Sequence, residues 1–236
     1  MNKSLSIVVP CYNEKDNIPL ILERFDQVIG NRNIEVVLVD NGSTDGSAEL
    51  MDALLPRYTF ARKVTVEVNQ GYGFGIVSGL KTCQSDYIGF THADMQTDPN
   101  DVSIAYDRID QTLKYIKGNR KGRPFLDVFF TIGMSFFETV YFKKRLWDIN
   151  AQPNVFPKTF FEDLTEIPKD FSLDLYLYVM AKTKQLPILR FDVRFTERIH
   201  GFSKWNDATF KSKWKFIKRT TAFSKELKRS INRKER

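Results

Sequence analysis

Apolar residues along this chain follow two alternating rhythms. Largely apolar runs at 5–10 (LSIVVP), 34–39 (IEVVLV) and 87–91 have the length and β-rich content of buried strands, and 64–68 reads as a further strand between the last two. Between the first two, Ile18, Ile21, Leu22, Phe25 and Ile29 recur at helical spacing. Leu50, Met51, Leu54 and Leu55 do the same after the second run, and a helix through Ile76, Gly79 and Leu80 follows 64–68. The turn Asn41-Gly42-Ser43-Thr44-Asp45-Gly46 leads into the second helix and caps it. Four strands alternating with three helices predict an α/β fold: a mainly parallel sheet with right-handed crossovers and helices on both faces.

The run at 87–91 opens into a polar loop, THADMQTDP, before Pro99 starts a helix. Open α/β sheets bind ligands at the carboxyl ends of their strands, so His92, Asp94, Gln96 and Asp98 stand where chemistry is expected. If the loop stays extended, His92, Asp94 and Gln96 share a face and can hold a divalent cation. Their oxygens suit Mg²⁺ or Mn²⁺, and a histidine nitrogen favours Mn²⁺. A polar loop with helix-capping residues is the alternative. No GxGxxG follows the first strand and no GxxxxGK[ST] occurs, which argues against dinucleotide folds and phosphate-loop ATPases.

In the second half, 115–118 reads as a strand running into Asn119-Arg120-Lys121-Gly122-Arg123, a cationic cluster suited to gripping phosphate. A helix over 124–142 follows, with Phe125, Phe129, Ile132, Phe136 and Tyr141 on or near one face and Phe130, Phe137 and Phe142 spreading beyond it. That is more apolar surface than one core face needs, so this helix either packs in a core or dimer, or meets a membrane. Ser172 is placed to cap a helix through Leu173 and Val179, and 187–195 (PILRFDVRF) alternates as a strand. From about residue 207 a last helix interleaves Trp and Phe with lysine and arginine.

Charge sharpens this division. The chain of 236 residues carries +7, yet 211–236 alone holds eleven basic residues against Glu226 and Glu235, so the rest is slightly acidic. A basic, aromatic helix suits an anionic membrane surface, with RNA and plain solvation as its other uses. No nucleic acid is expected on the folded body. Two cysteines give no disulfide framework, and no apolar run is long enough to span a bilayer. The expected location is cytoplasmic, peripheral at the inner membrane face.

Taken in order, VVPCYNEKDNI, VLVDNGSTDGS, NQGYGFGIVSGLK and HADMQTDP resemble the family 2 glycosyltransferases of the GT-A, Rossmann-like fold. Gly118-Asn119-Arg120 and the later RIHGFSK, with Arg198 and Lys204, resemble the dolichyl-phosphate mannose synthase-like branch. The resemblance implies a glycosyltransferase domain over 1–205 and a basic helix or tail over 206–236. It implies that Pro10, Tyr12 and Glu14 line a base pocket, that Asp40 meets the nucleoside, and that Asp94 with Gln96 holds Mn²⁺ or Mg²⁺ on the diphosphate. Catalytic electrostatics would fall to Asp94, Arg120, Arg123, Arg198 and Lys204.

One position departs from the family: His92 stands where Asp is usual. It can ligate metal, donate to phosphate or ribose, or mark a site where fewer protein groups hold the metal. The implied reaction is inverting transfer from a UDP- or GDP-sugar to a polyprenyl-phosphate-type lipid acceptor. A hydroxyl of a glycan or glycolipid is the alternative acceptor; a non-catalytic sugar-nucleotide-binding protein is a second class of reading, and a nucleotidyltransferase, which would release pyrophosphate, a third. A hydroxyl acceptor needs a base, for which Asp148, Glu162, Asp163 and Asp174 are the candidates.

Overall fold

Seven strands form one sheet, and numbered along the chain they lie side by side in the order 3-2-1-4-6-5-7. The structure, a computed structural model, describes residues 3–196, 200 and 210–234. Strands β1 (Leu5–Cys11), β2 (Ile34–Asn41), β3 (Ala61–Val66) and β4 (Tyr87–Phe90) are all parallel, joined through helices α1 (Ile18–Ile29), α2 (Ser47–Leu54) and α3 (Tyr72–Leu80). β1 and β2 are buried on both faces because helices cover both sides, which is why their sequences are mostly apolar. The edge strand β3 starts at Ala61 rather than at 64: its pairing with β2 begins there, while Val68 is exposed.

Beyond β4 the chain runs through α4 (Asn100–Tyr106), β5 (Tyr115–Lys121) and α5 (Phe125–Phe142). It then inserts β6 (Asn154–Pro157) antiparallel between β4 and β5. The hydrophobic pattern does not announce β6, since it is four residues long and is bounded by Pro153 and Pro157. Helices α6 (Lys158–Glu162) and α7 (Leu173–Thr183) and strand β7 (Ile188–Arg194), parallel to β5, complete the sheet. Ser172 holds the N-cap position of α7 without a side-chain cap bond, and Asp170 instead accepts from the Ser172 N–H at 2.9 Å.

The last helix, α8 (Phe210–Lys234), lies against the body. Leu227 and Ser224 are buried, and Phe223 and Ile231 pack on the core. No helix among the described residues is long and apolar enough to cross a membrane.

Candidate functional site

Three loops meet at the carboxyl ends of the parallel strands. After β1, Asn13 turns with φ 57° and its Oδ1 accepts from Thr44 N–H at 2.8 Å, while Ser43 Oγ and Ser47 Oγ accept from the N–H groups of Asn13 and Glu14, both at 3.1 Å. After β2, buried Asp40 accepts from Ser43 N–H at 3.0 Å, so its carboxylate shapes the turn it precedes. Gly42 is required there: its φ is +71° and a Cβ would stand 2.6 Å from Asn69 N. Pro10 is half-buried at the end of β1, and Tyr12 is exposed just beyond it. Pro10, Tyr12, Glu14 and Asp40 are thus brought to adjoining loops on one rim of the sheet.

The loop after β4 departs from the expected extended form. Met95 has φ 56°, and Asp94 Oδ1 accepts from Gln96 N–H at 3.1 Å. This side-chain turn breaks the alternation, so His92, Asp94 and Gln96 are not aligned by strand geometry. Asp94 is buried. Gln96 Nε2 donates to the Thr196 carbonyl at 3.3 Å, which turns Oε1 the other way. His92 is half-buried, and its charge helps hold down the carboxyl of Asp174. Among the described residues no three His, Cys, Asp or Glu side chains are grouped to share a metal. A carboxylate and an amide oxygen do suit a hard cation that brings further oxygens on a diphosphate, so the residues fit Mg²⁺ or Mn²⁺ carried by substrate.

In the cationic cluster both arginines are committed to a carboxylate that the sequence does not show. Strand β5 continues to Lys121, and both arginines turn onto Asp148, which is 1% exposed. Arg120 reaches Asp148 Oδ1 through Nε at 3.0 Å and Nη2 at 2.5 Å, and its own N–H donates to Oδ2 at 2.9 Å. Arg123 Nη2 lies 3.7 Å from the same carboxylate, and its Nη1 donates to Thr131 Oγ1 at 2.9 Å. Burial raises the Asp148 carboxyl, but the charges and hydrogen bonds of Arg120 with Arg123 prevail and leave it below the ordinary value. Asp148 therefore anchors the arginines and makes a poor base. The trio keeps one net positive charge.

Residues Phe195 and Thr196 tie this cluster to the β4 loop. Arg120 stacks over the Phe195 ring at 5.4 Å, Phe195 N–H donates to Lys121 O at 2.9 Å, and Thr196 N–H donates to Gln96 O at 2.9 Å. Arg198 and Lys204 lie outside the described residues.

Behind the loops sits a buried polar chain that the motifs did not reveal. Lys117, 0% exposed on β5, donates to Ala151 O at 2.7 Å and to Asn154 Oδ1 at 2.6 Å. Asn154 Nδ2 donates to Asp174 Oδ1 at 3.2 Å, and Tyr72 Oη donates to Asp174 Oδ2 at 3.2 Å. Burial pushes the Lys117 ammonium down to about 7 against the attraction of Asp174. Burial likewise raises Asp174, with Lys117 and then His92 opposing it. The overlooked signal was a lysine inside the apolar strand YIKG. Of the other candidate bases, Glu162 and Asp163 are 57% and 68% exposed and pair with Lys158 and Lys184. Asp174 is buried, its carboxyl is raised by that burial, and His92 of the β4 loop acts on it.

Comparisons with known proteins agree with this fold. Residues 6–163 match the family described as Glycosyl transferase family 2. An undecaprenyl-phosphate 4-deoxy-4-formamido-L-arabinose transferase from Pseudomonas savastanoi pv. phaseolicola is 36% identical over 104 residues, 42% of this chain and 31% of that protein. Its counterpart from Klebsiella pneumoniae is 29% identical over 124 residues, 51% of this chain and 38% of that protein. The chain thus matches only about a third of the length of these relatives. Among solved structures, a mannosyltransferase from Pyrobaculum calidifontis in complex with GDP-Man and Mn²⁺ superposes with TM-score 0.67 at 18% identity, over 87% of this chain and 60% of that one. Glucosyl-3-phosphoglycerate synthase from Mycobacterium tuberculosis in complex with Mn²⁺, UDP and glucosyl-3-phosphoglycerate gives 0.65 at 17% identity, over 87% and 74%.

Proposed function

Because the chain belongs to glycosyl transferase family 2, we propose that it moves a sugar, with inversion, from a UDP- or GDP-sugar to a polyprenyl-phosphate-type acceptor at a membrane face. One observation carries the acceptor half of this reading. The β4 loop and the arginine cluster, bridged by Phe195 and Thr196, adjoin the start of a helix that turns its phenylalanines outward. Along α5, Phe125, Phe129, Ile132, Phe136 and Val140 are exposed, while Ser135 and Glu138 are buried. Such a face is stable in an apolar surround, and the basic residues of α8 beside it match anionic lipid headgroups.

In this reading Pro10, Tyr12, Glu14 and Asp40 receive the nucleoside, and Asp94 with Gln96 holds Mn²⁺ or Mg²⁺. When bound, the cation neutralises charge on the departing diphosphate. Arg120 and Arg123, fixed by Asp148, present their remaining positive charge to the acceptor phosphate. An oxygen of that phosphate forms the new bond to the anomeric carbon as the bond to the nucleoside diphosphate breaks. The acceptor is already ionised, so no base is required. The relatives named for undecaprenyl-phosphate substrates support this acceptor class.

Asp174 favours a second reading. A hydroxyl acceptor would lose its proton to a carboxylate, and Asp174 is the candidate on which His92 of the β4 loop acts.

Calorimetric titration with UDP and GDP, with and without Mn²⁺, on the native chain and Asp94→Ala tests the donor half. Metal-dependent binding of one nucleotide, lost in the variant, is expected; no binding of either sinks the reading for these donors. Sugar transfer to undecaprenyl phosphate that survives Asp174→Asn supports the lipid-phosphate acceptor. Transfer only to a glycan hydroxyl, abolished by Asp174→Asn, supports the second reading.

A further inference from the structure

The loop that opens α3, Gly71-Tyr72-Gly73-Phe74-Gly75, is held between two parts of the chain far apart in sequence. On one side Asn41, next to Asp40, donates from Nδ2 to Gly71 O at 3.1 Å and so ties the loop to the end of β2. On the other side lies the segment 166–172, between α6 and α7. Phe74 N–H donates to Lys169 O at 2.9 Å, and the Lys169 ammonium stands 5.3 Å over the Phe74 ring. Gly73 permits this approach, because a Cβ there would stand 2.5 Å from Asp170 O. The Phe171 ring lies flat on Tyr72, with centroids 5.1 Å apart and planes at 9°, yet Phe171 is 56% exposed. Helix α8 grips the same segment from outside. Arg219 Nη2 pairs with Asp170 Oδ2 at 3.2 Å, its guanidinium stands 5.9 Å over the Phe171 ring, and Ser230 Oγ donates to Glu166 Oε2 at 3.1 Å.

We propose that Phe171 is a positioning residue for the nucleotide donor: its ring, laid on Tyr72 and covered by Arg219 of α8, holds the glycine loop closed against the end of β2 beside Asp40. Three features support this. The ring is exposed, so burial does not account for its setting, whereas the flat stack and the guanidinium above it do. Tyr72 in turn spans the rim of the sheet. Its hydroxyl donates to Asp174 Oδ2 at 3.2 Å and accepts from Gln152 Nε2 at 2.5 Å, and Gln152 stands two residues ahead of Asn154, the ladder partner of Phe90 at the end of β4. The approach to the glycine loop is also packed against the turn after β2, since a Cβ on Gly42 would stand 2.6 Å from Asn69 N. Phe171 therefore orders a loop that reaches both the Asp40 turn and the segment beside the end of β4. The inference rests on the donor half of the proposed reaction and assigns α8 a part in it.

The test compares the full native chain with Phe171→Ala, Phe171→Leu and Phe171→Tyr, each titrated calorimetrically with UDP and GDP in the presence of Mn²⁺. Affinity for the nucleotide that the native chain binds is expected to fall about fivefold in Phe171→Ala and Phe171→Leu, and to stay within about twofold in Phe171→Tyr, which keeps the flat ring. The melting temperature should stay within about 2 °C throughout, because an exposed ring contributes little to stability. Release of UDP from UDP-glucose or GDP from GDP-mannose should show the loss in KM, with the turnover number within about twofold. Native affinity in Phe171→Ala, a loss in Phe171→Tyr as large as in Phe171→Ala, or a loss that merely follows the melting temperature overturns the proposal. Arg219→Ala should weaken the same nucleotide about twofold; unchanged affinity there overturns the part given to α8. Should Phe171→Ala fail to fold, Phe171→Leu carries the comparison. Hydrogen exchange at the Phe74 amide is the readout that needs no donor, and it should quicken in Phe171→Ala and not in Phe171→Tyr. Should the native chain bind neither nucleotide, the transferase reading fails for those donors and this exchange alone decides, with an unchanged rate in Phe171→Ala overturning the proposal.

Discussion

Helices α1 and α5 are both rich in large apolar residues at helical spacing, and the fold uses them in opposite ways. In α1, Ile18, Ile21, Leu22, Phe25 and Ile29 are at most 5% exposed and face the sheet. In α5, Phe125 is 81% and Phe136 70% exposed, and the inward face mixes buried Ser135 and Glu138 with Phe142, which enters the core at the last turn. Ser135 Oγ accepts from Asp148 N–H at 3.1 Å, Thr131 meets Arg123, and Glu138 accepts from Ser224 of α8 at 2.8 Å. The difference teaches that the direction of an apolar face follows from where a helix finds its polar partners. Helix α5 is seated by hydrogen bonds and by Phe142, and the rings of Phe125, Phe129 and Phe136 stay exposed.

The comparison breaks most plainly at two phenylalanines. Phe25→Ala should cost about 3–5 kcal/mol in denaturant unfolding, because it empties a packed site. Phe136→Ala should stay within about 0.5 kcal/mol of the native chain. Equal losses would mean that α5 is a core helix after all. Asp148→Ala probes the polar seating itself. It leaves two half-buried guanidinium groups beside a vanished carboxylate and should cost about 3–5 kcal/mol by the same measurement. A near-neutral result would show that α5 needs no ionic anchor.

The outward face is tested on vesicles. Phe129→Ser with Phe136→Ser should weaken sedimentation with phosphatidylglycerol vesicles by about a hundredfold or more, since each ring is worth about 1.5–3 kcal/mol when fully transferred. Unchanged binding would remove α5 from the membrane reading and leave α8 alone in it.

The smallest expected effect concerns Glu138 and pH. Burial lifts its carboxyl from an ordinary 4.5 to about 7, against the hydrogen bond from Ser224. A carboxyl raised on folding binds a proton in the native state, so its contribution is whole below about 4.5 and is lost as pH rises through about 7. Hydrogen exchange in α8 should therefore quicken across that interval, and Glu138→Gln should flatten the change. A profile that Glu138→Gln leaves unaltered would place the pH response elsewhere.

Much of the sheet was legible because the information is local. Runs such as IEVVLV can be satisfied only between two covering layers, and the turn residues after them mark the strand ends where Asp40 and Asp94 stand. The sequence by itself therefore determined the alternation of strand and helix, the polar loops at the strand ends and the basic character of α8. It did not determine how the loop after β4 bends, since Asp94 closes a turn in which Met95 takes a left-handed backbone. Nor did it show that Arg120 and Arg123 share Asp148, that β6 enters the sheet antiparallel, or that α5 faces outward. Those features depend on partners distant along the chain: Lys117 finds Asn154 37 positions away, and Glu138 finds Ser224 86 positions away. Periodicity records which positions avoid water, but a buried polar group is specified by the atom it bonds, and only the tertiary structure brings that atom within reach.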